Sequence, residues 1–179
     1  LNRMREMLFT LVKWEPRGKR QWIIEDGTYR ATVQRVENSM LISSEQFENF
    51  EISFEFQLDT AVQAQGGVYF HYPGTGDLYE KSYKLHVAND FGVKPDLYSS
   101  GALYAITRAT VNAIKQPGEW NTLLIRVQSE KVVAILNGKE VQKADLGDPK
   151  VPTKGYVCLD GGIGGITYRK VLLTELPAK

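Results

Sequence analysis

The chain has 179 residues, with 22 Lys plus Arg against 21 Asp plus Glu, and one cysteine, Cys158. A chain of this length buries roughly 70 per cent of its unfolded surface, so we predict one domain over residues 1–179. The net charge of +1 gives no field for nucleic acid, and a lone cysteine excludes an internal disulfide. The longest N-terminal apolar run, Met7 to Val12, is too short to span a membrane, and no targeting segment is recognisable.

The N-terminal segment, residues 1–20, is of uncertain structure in the sequence. Short β-strands separated by turn residues follow it. In that segment, Leu1 to Val12 fit either a short helix or an edge strand, and Trp14 to Arg20 read as a loop. The clearest strand is Phe50 to Leu58, in which apolar and polar residues alternate without a break. Asp26-Gly27 and Asn137-Gly138 each predict a hairpin turn. The predicted strands are Trp22–Glu25, Thr28–Val33, Met40–Ser43, Phe50–Leu58, Gly67–His71, Tyr83–Val87, Ala102–Ile106, Trp120–Gln128, Val132–Leu136, Glu140–Lys143, Gly155–Leu159 and Ile166–Leu176.

This pattern of about a dozen short strands, with no convincing interior helix, predicts an all-β fold. We expect two antiparallel sheets in a β-sandwich or jelly roll. Cys158 lies in an apolar run and is expected to be buried. The glycine-rich run at residues 161–165 is interpreted as a turn, because a strand pattern follows it where a phosphate-binding loop would lead into a helix. Trp22 and Trp120 each begin an apolar strand, so we expect them in the core.

The stretch from Gln65 to His86 carries both histidines and four tyrosines of the chain. The strand period predicts that Tyr69, His71, Lys84 and His86 share one face, opposite the core. The loop between the two strands would then form a rim, where binding residues tend to lie. The plain alternative is an ordinary exposed sheet face that happens to carry histidines and tyrosines.

Several familiar catalytic arrangements find little support in the sequence. Glu51 and Glu55 share a face but lie roughly 13 Å apart, too far for the paired carboxylates of a glycosidase. Asp77 and Glu80 are weak candidates in a loop, and no motif supports a Ser-His-Asp triad. A zinc site would need His71 and His86 together with an acid such as Asp77 or Asp90, without helical spacing or a cysteine cluster to support it.

Eight short motifs in order resemble the 3-keto-disaccharide hydrolase family over nearly the whole chain. The resemblance implies a concanavalin A-like jelly roll, exported by bacteria to the periplasm or the extracellular space, that acts on or binds glycosides. Its partner would be a carbohydrate; no cofactor is certain, although a divalent metal such as calcium is compatible, and the oligomeric state is left open. The motifs are WIIEDGT (22–28), FEISFEF (50–56), GVYFH (67–71), SYKLH (82–86), GALY (101–104), PGEWNT (117–122), LNGK (136–139) and ITYR (166–169).

The chain departs from the family pattern at the candidate site. Tyr83-Lys84-Leu85-His86 stands where the family usually reads Tyr-Glu-x-Gln, and Phe70-His71 stands where it often has Phe-Arg. A 3-keto sugar can still lose its acidified C2 proton to a histidine while a cation stabilises the enolate. The hypothesis assigns His71 or His86 as the base and Lys84 as the enolate stabiliser.

Substrate binding is assigned to aromatic and amide side chains in and near the same stretch. Tyr69, Tyr72 and Tyr104 would pack against sugar faces, and Gln65 is grouped with them. The competing hypothesis is a non-catalytic carbohydrate-binding module on the same sandwich, and a protein-interaction domain is a third class. An enzyme of this kind would be a glycoside hydrolase-like protein that cleaves 3-keto-glycosides at C1–C2.

Overall fold

The computed structural model describes residues 12–19, 21–32, 39–61 and 63–179. Its strands form two antiparallel sheets, as the sequence predicts. The five-stranded sheet has the order β1-β4-β11-β6-β7, and the seven-stranded sheet has the order β10-β9-β8-β5-β12-β3-β2. The strands are β1 Trp14–Arg17, β2 Trp22–Glu25, β3 Thr28–Ala31, β4 Met40–Phe47, β5 Phe50–Leu58, β6 Gln65–Tyr72, β7 Tyr83–Ala88, β8 Trp120–Gln128, β9 Lys131–Leu136, β10 Lys139–Asp145, β11 Gly155–Ile163 and β12 Ile166–Glu175.

The hydrophobic core lies between the two sheets. In β5 every second side chain is buried, beginning at Phe50 and ending at Leu58, because successive residues of a strand point to opposite faces. Facing side chains of β6 and β7, Val68, Phe70 and Leu85 among them, enter the same core from the five-stranded sheet. The all-β sandwich is therefore confirmed.

The two hairpin turns have the backbone that their sequences predict. Asp26 and Gly27 have φ of 46° and 73°, and Asn137 and Gly138 have φ of 51° and 81°. Positive φ at both central positions matches the right-handed twist of the flanking strands.

Trp22 packs on the core, and Trp120 is half-buried beneath the Arg169 guanidinium, whose carbon lies 3.6 Å from the ring centroid.

Three local predictions need correction. Residues Trp14–Arg17, predicted as part of a loop, form strand β1 along the free side of β4. The predicted strand Ala102–Ile106 is instead a turn-rich segment with isolated bridges at Leu103. A single-turn helix, α1 Leu78–Lys81, interrupts the loop after β6. Residues 1–11 and 33–38, on which parts of two predictions fall, lie outside the described residues.

Cys158 is fully buried in β11, as predicted, and burial raises the pKa of its thiol. Among the described residues, no helix combines the length and apolar character needed to cross a bilayer.

Candidate functional site

The candidate site is built on three neighbouring strands of the five-stranded sheet. The pairing places Asp160 of β11 opposite Gly67 of β6, and Gly67 opposite His86 of β7. Tyr69 and Lys84 pair one step further along the same face. Gly67 is needed there because a Cβ on it would lie 2.1 Å from the Leu85 carbonyl oxygen. Asp160, Lys84 and His86 therefore lie close together on the face opposite the core.

Lys84 and Asp160 form a buried ion pair on this face. The Lys84 Nζ lies 3.0 Å from Asp160 Oδ2, and the two side chains are only 3% and 9% exposed. The other carboxylate oxygen, Oδ1, accepts a hydrogen bond from the Gly162 backbone N–H at 2.9 Å. The glycine bulge after Asp160 thus helps to orient the carboxylate that pairs with Lys84.

Three tyrosine rings surround the Lys84 ammonium. Its Nζ lies 5.1 Å from the centroid of Tyr69, 5.3 Å from that of Tyr104 and 5.9 Å from that of Tyr79, distances suited to cation–π attraction. Burial raises the pKa of the Tyr69 and Tyr104 hydroxyls, which therefore stay protonated as hydrogen-bond donors. We call Lys84, Asp160 and these three tyrosines the lysine box.

The connections after β6 and β7 bring the outer tyrosines to the box. Asp77 caps helix α1, because its Oδ1 accepts hydrogen bonds from the backbone N–H groups of Tyr79 and Glu80. The segment at 101–104 pairs with the free edge of β7, where the Tyr104 N–H donates to the Lys84 carbonyl at 2.8 Å. Tyr98 then packs edge-on against Tyr104 at 5.3 Å.

His86 is buried beside the lysine box with one nitrogen unused. It is 2% exposed, and its ring centroid lies 5.0 Å from that of Tyr104. Its Nδ1 is buried and has no hydrogen-bond partner. Burial, and next the positive charge of Lys84, lowers the pKa of His86 well below its usual value, so the ring is neutral at neutral pH. A neutral imidazole has one unprotonated nitrogen and can accept a proton from a bound molecule.

Two adjoining pockets open onto these residues. One, of about 130 Å³, has Tyr69, Tyr79, Lys84 and Asp160 in its wall. The other, of about 420 Å³, is lined by His86 and by polar residues of the connection after β7. Gln65 and Ile163 belong to both walls, so the pockets meet there. We call them the lysine pocket and the histidine pocket.

A core tyrosine supports the site from behind. The Tyr168 hydroxyl, on β12 of the other sheet, accepts a hydrogen bond from the Gly67 N–H at 3.2 Å and lies 2.6 Å from the Asp160 carbonyl oxygen. These contacts tie β6 to β11 at the level of the ion pair. They also explain why a tyrosine rather than a phenylalanine stands in the core at this position.

The prediction that His71 shares the site face is wrong. His71 has φ of 56°, a left-handed conformation that breaks the alternation of β6. Its ring turns toward Phe50 and Tyr83, and its Nε2 donates to the Glu48 carbonyl oxygen at 2.9 Å. His71 lies in the wall of a different pocket, of about 310 Å³, near Glu130 and residues 146–153. The structure therefore separates it from Lys84 and His86.

Tyr72 is also outside the lysine box. Its side chain packs with Met40, Ile42 and Cys158, and its hydroxyl donates to the Gly76 carbonyl oxygen at 2.9 Å. Tyr69, Tyr104, Lys84 and His86 do come together as predicted, and Gln65 lines both pockets. The roles assigned to these residues stay predictions.

Four residues of the site escape the sequence analysis. Asp160 could be suspected only as an acid at the end of an apolar strand, because the predicted strand stops at Leu159. Tyr79 and Tyr98 are 54% and 56% exposed tyrosines in loops, without a periodic pattern to mark them. Asp96 lies in an irregular segment whose path the sequence does not give.

Metal binding by these residues lacks a donor cluster. Within the described parts of the chain, no group of three or more His, Cys, Asp or Glu side chains is arranged to hold a metal ion. The zinc hypothesis also needed His71 and His86 together, and they face different pockets. A further pocket of about 550 Å³, between Glu48, Lys154 and residues 175–178, contains neither a histidine nor an aromatic side chain.

Comparison with protein families gives one match over most of the chain. The family model described as a 3-keto-alpha-glucoside-1,2-lyase-like domain matches residues 7–174. A comparison with curated protein sequences finds no match.

Solved structures with similar folds include carbohydrate-related proteins. A candidate glycosyl hydrolase from Parabacteroides distasonis is 25% identical, with a TM-score of 0.73 over 92% of this chain and 100% of that one. A second candidate glycosyl hydrolase from the same organism is 18% identical, with a TM-score of 0.75 over 87% of this chain and 83% of that one. The carbohydrate-binding module CBM66 from Bacillus subtilis is 12% identical, with a TM-score of 0.67 over 90% and 95% of the two chains. The last two likenesses concern the fold alone.

Proposed function

Because the chain belongs to the 3-keto-alpha-glucoside-1,2-lyase-like domain family, we propose that it cleaves 3-keto-glycosides by elimination across C1 and C2 of the sugar. In this reaction the C2–H bond breaks, the C1–O bond to the aglycone breaks, and a C1=C2 double bond forms. The ketone at C3 makes the C2 proton acidic, so the site must supply a base at C2 and a positive group at the ketone oxygen.

The observation that carries the proposal is the placement of Lys84 and His86 two residues apart on one face of β7. Residues at that spacing lie roughly 6.6 Å apart along a strand. A ketosugar ring seated between them would place its C3 oxygen near the Lys84 ammonium and its C2–H near the His86 imidazole. Lys84 then stabilises the enolate oxygen, and His86 removes the proton.

The electrostatics of the pair favour the second half of the reaction as well. Burial and the Lys84 charge disfavour a protonated His86, which lowers its pKa and makes the imidazolium, once formed, a ready proton donor. It can pass the proton to the departing aglycone oxygen and return to the neutral state. The Asp160 carboxylate keeps the Lys84 ammonium fixed during the exchange.

Two exposed tyrosines, one in the lysine box and one beside it, favour contact with sugar faces. Tyr79 and Tyr98 are each more than half exposed, and both rings contact Tyr104. Flat rings with a hydroxyl handle suit the apolar faces of a pyranose. The same observation supports the second candidate function, a carbohydrate-binding module without catalysis.

An NMR time course separates these two functions. The purified protein is mixed with a 3-keto-glucoside and, in a separate sample, with the unoxidised parent glucoside. We expect release of aglycone and a new vinylic proton signal from the keto sugar only. Broadened sugar resonances without product in either sample would contradict the enzyme and support the binding module.

Export to the periplasm or the extracellular space remains a proposal that rests on the family resemblance. Fractionation of producing cells, with antibody detection of the protein, tests it. Recovery in the cytoplasmic fraction alone would contradict it.

A further inference from the structure

The histidine pocket carries an unbalanced negative charge. Its wall contains the carboxylates of Asp90 and Asp96, and no lysine or arginine among the described residues lines it. In the lysine pocket, by contrast, the charges of Lys84 and Asp160 cancel. The two pockets together therefore contain three carboxylates and one ammonium group. The excess negative charge lies entirely in the histidine pocket.

The two acids of the histidine pocket differ in how firmly they are held. Asp90 accepts hydrogen bonds from the Ser100 backbone N–H and hydroxyl and from the Asn112 amide, so it is part of the framework of the connection. Asp96 is exposed and accepts one hydrogen bond, through Oδ1, from the Tyr98 N–H at 2.7 Å. Asp96 thus keeps a carboxylate oxygen available beside the exposed Tyr98 ring.

His86 independently marks this pocket as a place for a ligand. Its side chain is almost fully buried, lines the pocket, and has an Nδ1 without a hydrogen-bond partner. A buried polar atom of this kind costs free energy unless a bound group satisfies it. Since no donor cluster for a metal ion exists among the described residues, a hydroxyl-bearing organic ligand suits it better than a metal ion.

We propose that the histidine pocket holds the aglycone and that it selects an uncharged or positively charged one. This inference rests on the proposed function, in which His86 returns the proton to the aglycone oxygen and must therefore face the aglycone. A sugar aglycone with a carboxylate would meet Asp90 and Asp96 without a compensating base. A protonated amino sugar would be attracted instead, and Asp96 is the specificity-determining residue because its carboxylate is free to meet either.

Three matched disaccharides test the selection. Each carries the same 3-keto-glucosyl unit, linked to glucose, glucuronate or glucosamine, and kcat/KM is measured for each at low ionic strength. We expect the order glucosamine, glucose, glucuronate, with about ten-fold between the last two for two acids. The differences should shrink in 0.5 M salt, since charges at an exposed pocket are screened.

Two variants with the same change of charge locate the effect. Asp96→Asn keeps the oxygen that accepts from Tyr98 but removes the charge, and should narrow the glucose-to-glucuronate ratio by roughly two- to five-fold. Asp145→Asn makes the same change at an exposed position of β10 in the other sheet and should leave the ratio unaltered. The inference would be overturned if the parent protein had equal kcat/KM for the glucose-linked and glucuronate-linked disaccharides. Equal effects of the two variants on the ratio would overturn it as well.

Failure of the proposed function gives a different result. If none of the three disaccharides is cleaved, the elimination proposal fails, and the same ligands are titrated by NMR for binding. The same order of affinity, with the same loss in Asp96→Asn, would still support charge selection at the histidine pocket. Equal affinities, or no binding, would reject it.

Discussion

The two histidines of this chain lie on neighbouring strands of the same sheet, β6 and β7, yet have different environments. His86 continues the alternation of β7 and lies beside the lysine box with a buried Nδ1 that has no hydrogen-bond partner. His71 has a left-handed backbone, and its Nε2–H is used by the Glu48 carbonyl. Burial lowers the pKa of both, so charge state alone does not separate them. What separates them is the neighbouring cation and the unsatisfied nitrogen, which make His86 the candidate base.

The largest expected effect comes from replacing each histidine by asparagine. His86→Asn should lower kcat on a 3-keto-glucoside by about 10² to 10⁴, the usual contribution of a general base. His71→Asn is the matched control, because asparagine tolerates positive φ and the residue is equally buried. It should retain the turnover of the parent per folded molecule. Equal losses in the two variants, after correction for folded fraction by circular dichroism, would remove the distinction between them.

The ion pair of the lysine box should matter more for stability than the histidines do. Lys84→Met leaves the Asp160 carboxylate buried without its cation, which should cost about 3–5 kcal/mol in the free energy of unfolding. The double variant Lys84→Met/Asp160→Asn should recover most of that stability, since neither charge is then buried alone. Turnover should be lost in both variants, because the enolate has no positive partner.

Urea denaturation of these two variants and of Lys131→Met measures the stability part. Lys131 pairs with Asp145 at 3.9 Å on the surface, and its loss should cost less than about 1 kcal/mol. A double variant as unstable as Lys84→Met would contradict the account of the ion pair. A double variant with full turnover would contradict the role of Lys84 in the reaction.

A smaller effect is expected at the support beneath the site. Tyr168→Phe removes the hydroxyl that joins Gly67 to Asp160 and should cost about 1–3 kcal/mol, because the buried backbone groups lose their partner. Amide exchange at Gly67, followed by NMR, should quicken more than exchange at β8, in the middle of the other sheet. An unchanged rate at Gly67 would mean that the hydroxyl does not hold β6 to β11.

The sequence predicts the sheets better than it predicts the site, for a physical reason. Strand Phe50–Leu58 and the Asn137-Gly138 turn are fixed by local alternation and local backbone preference, and both are found as predicted. The shared face of Tyr69, Lys84 and His86 follows from the same period. His71 departs from it because its own backbone takes positive φ, which is uncommon for any residue other than glycine and which the neighbouring sequence does not predict.

Asp160 shows a second limit of prediction from sequence. Its partner Lys84 lies on another strand, two positions across the sheet, and only the strand order β11-β6-β7 brings them together. Tyr79 and Tyr98 reach the box through a capped helix turn and an irregular connection, whose geometry depends on contacts with the finished sandwich. The sequence thus identifies the strand that carries Lys84 and His86. The positions of the Asp160 carboxylate and of the outer tyrosines can be seen only in the tertiary fold.

A further effect is expected in the pH dependence of stability. Each histidine has a folded-state pKa below its usual value of about 6.5, so the unfolded chain binds more protons between the two values. Stability from this source is therefore present above pH 6.5 and is lost as pH falls toward the folded-state pKa, by at most about 1.4 kcal/mol per pH unit for each histidine. Urea midpoints measured from pH 8 to pH 5 should fall in the parent protein. The fall should be reduced more in His86→Asn than in His71→Asn, because only His86 has both burial and Lys84 acting against its charge; a larger reduction in His71→Asn would contradict that difference.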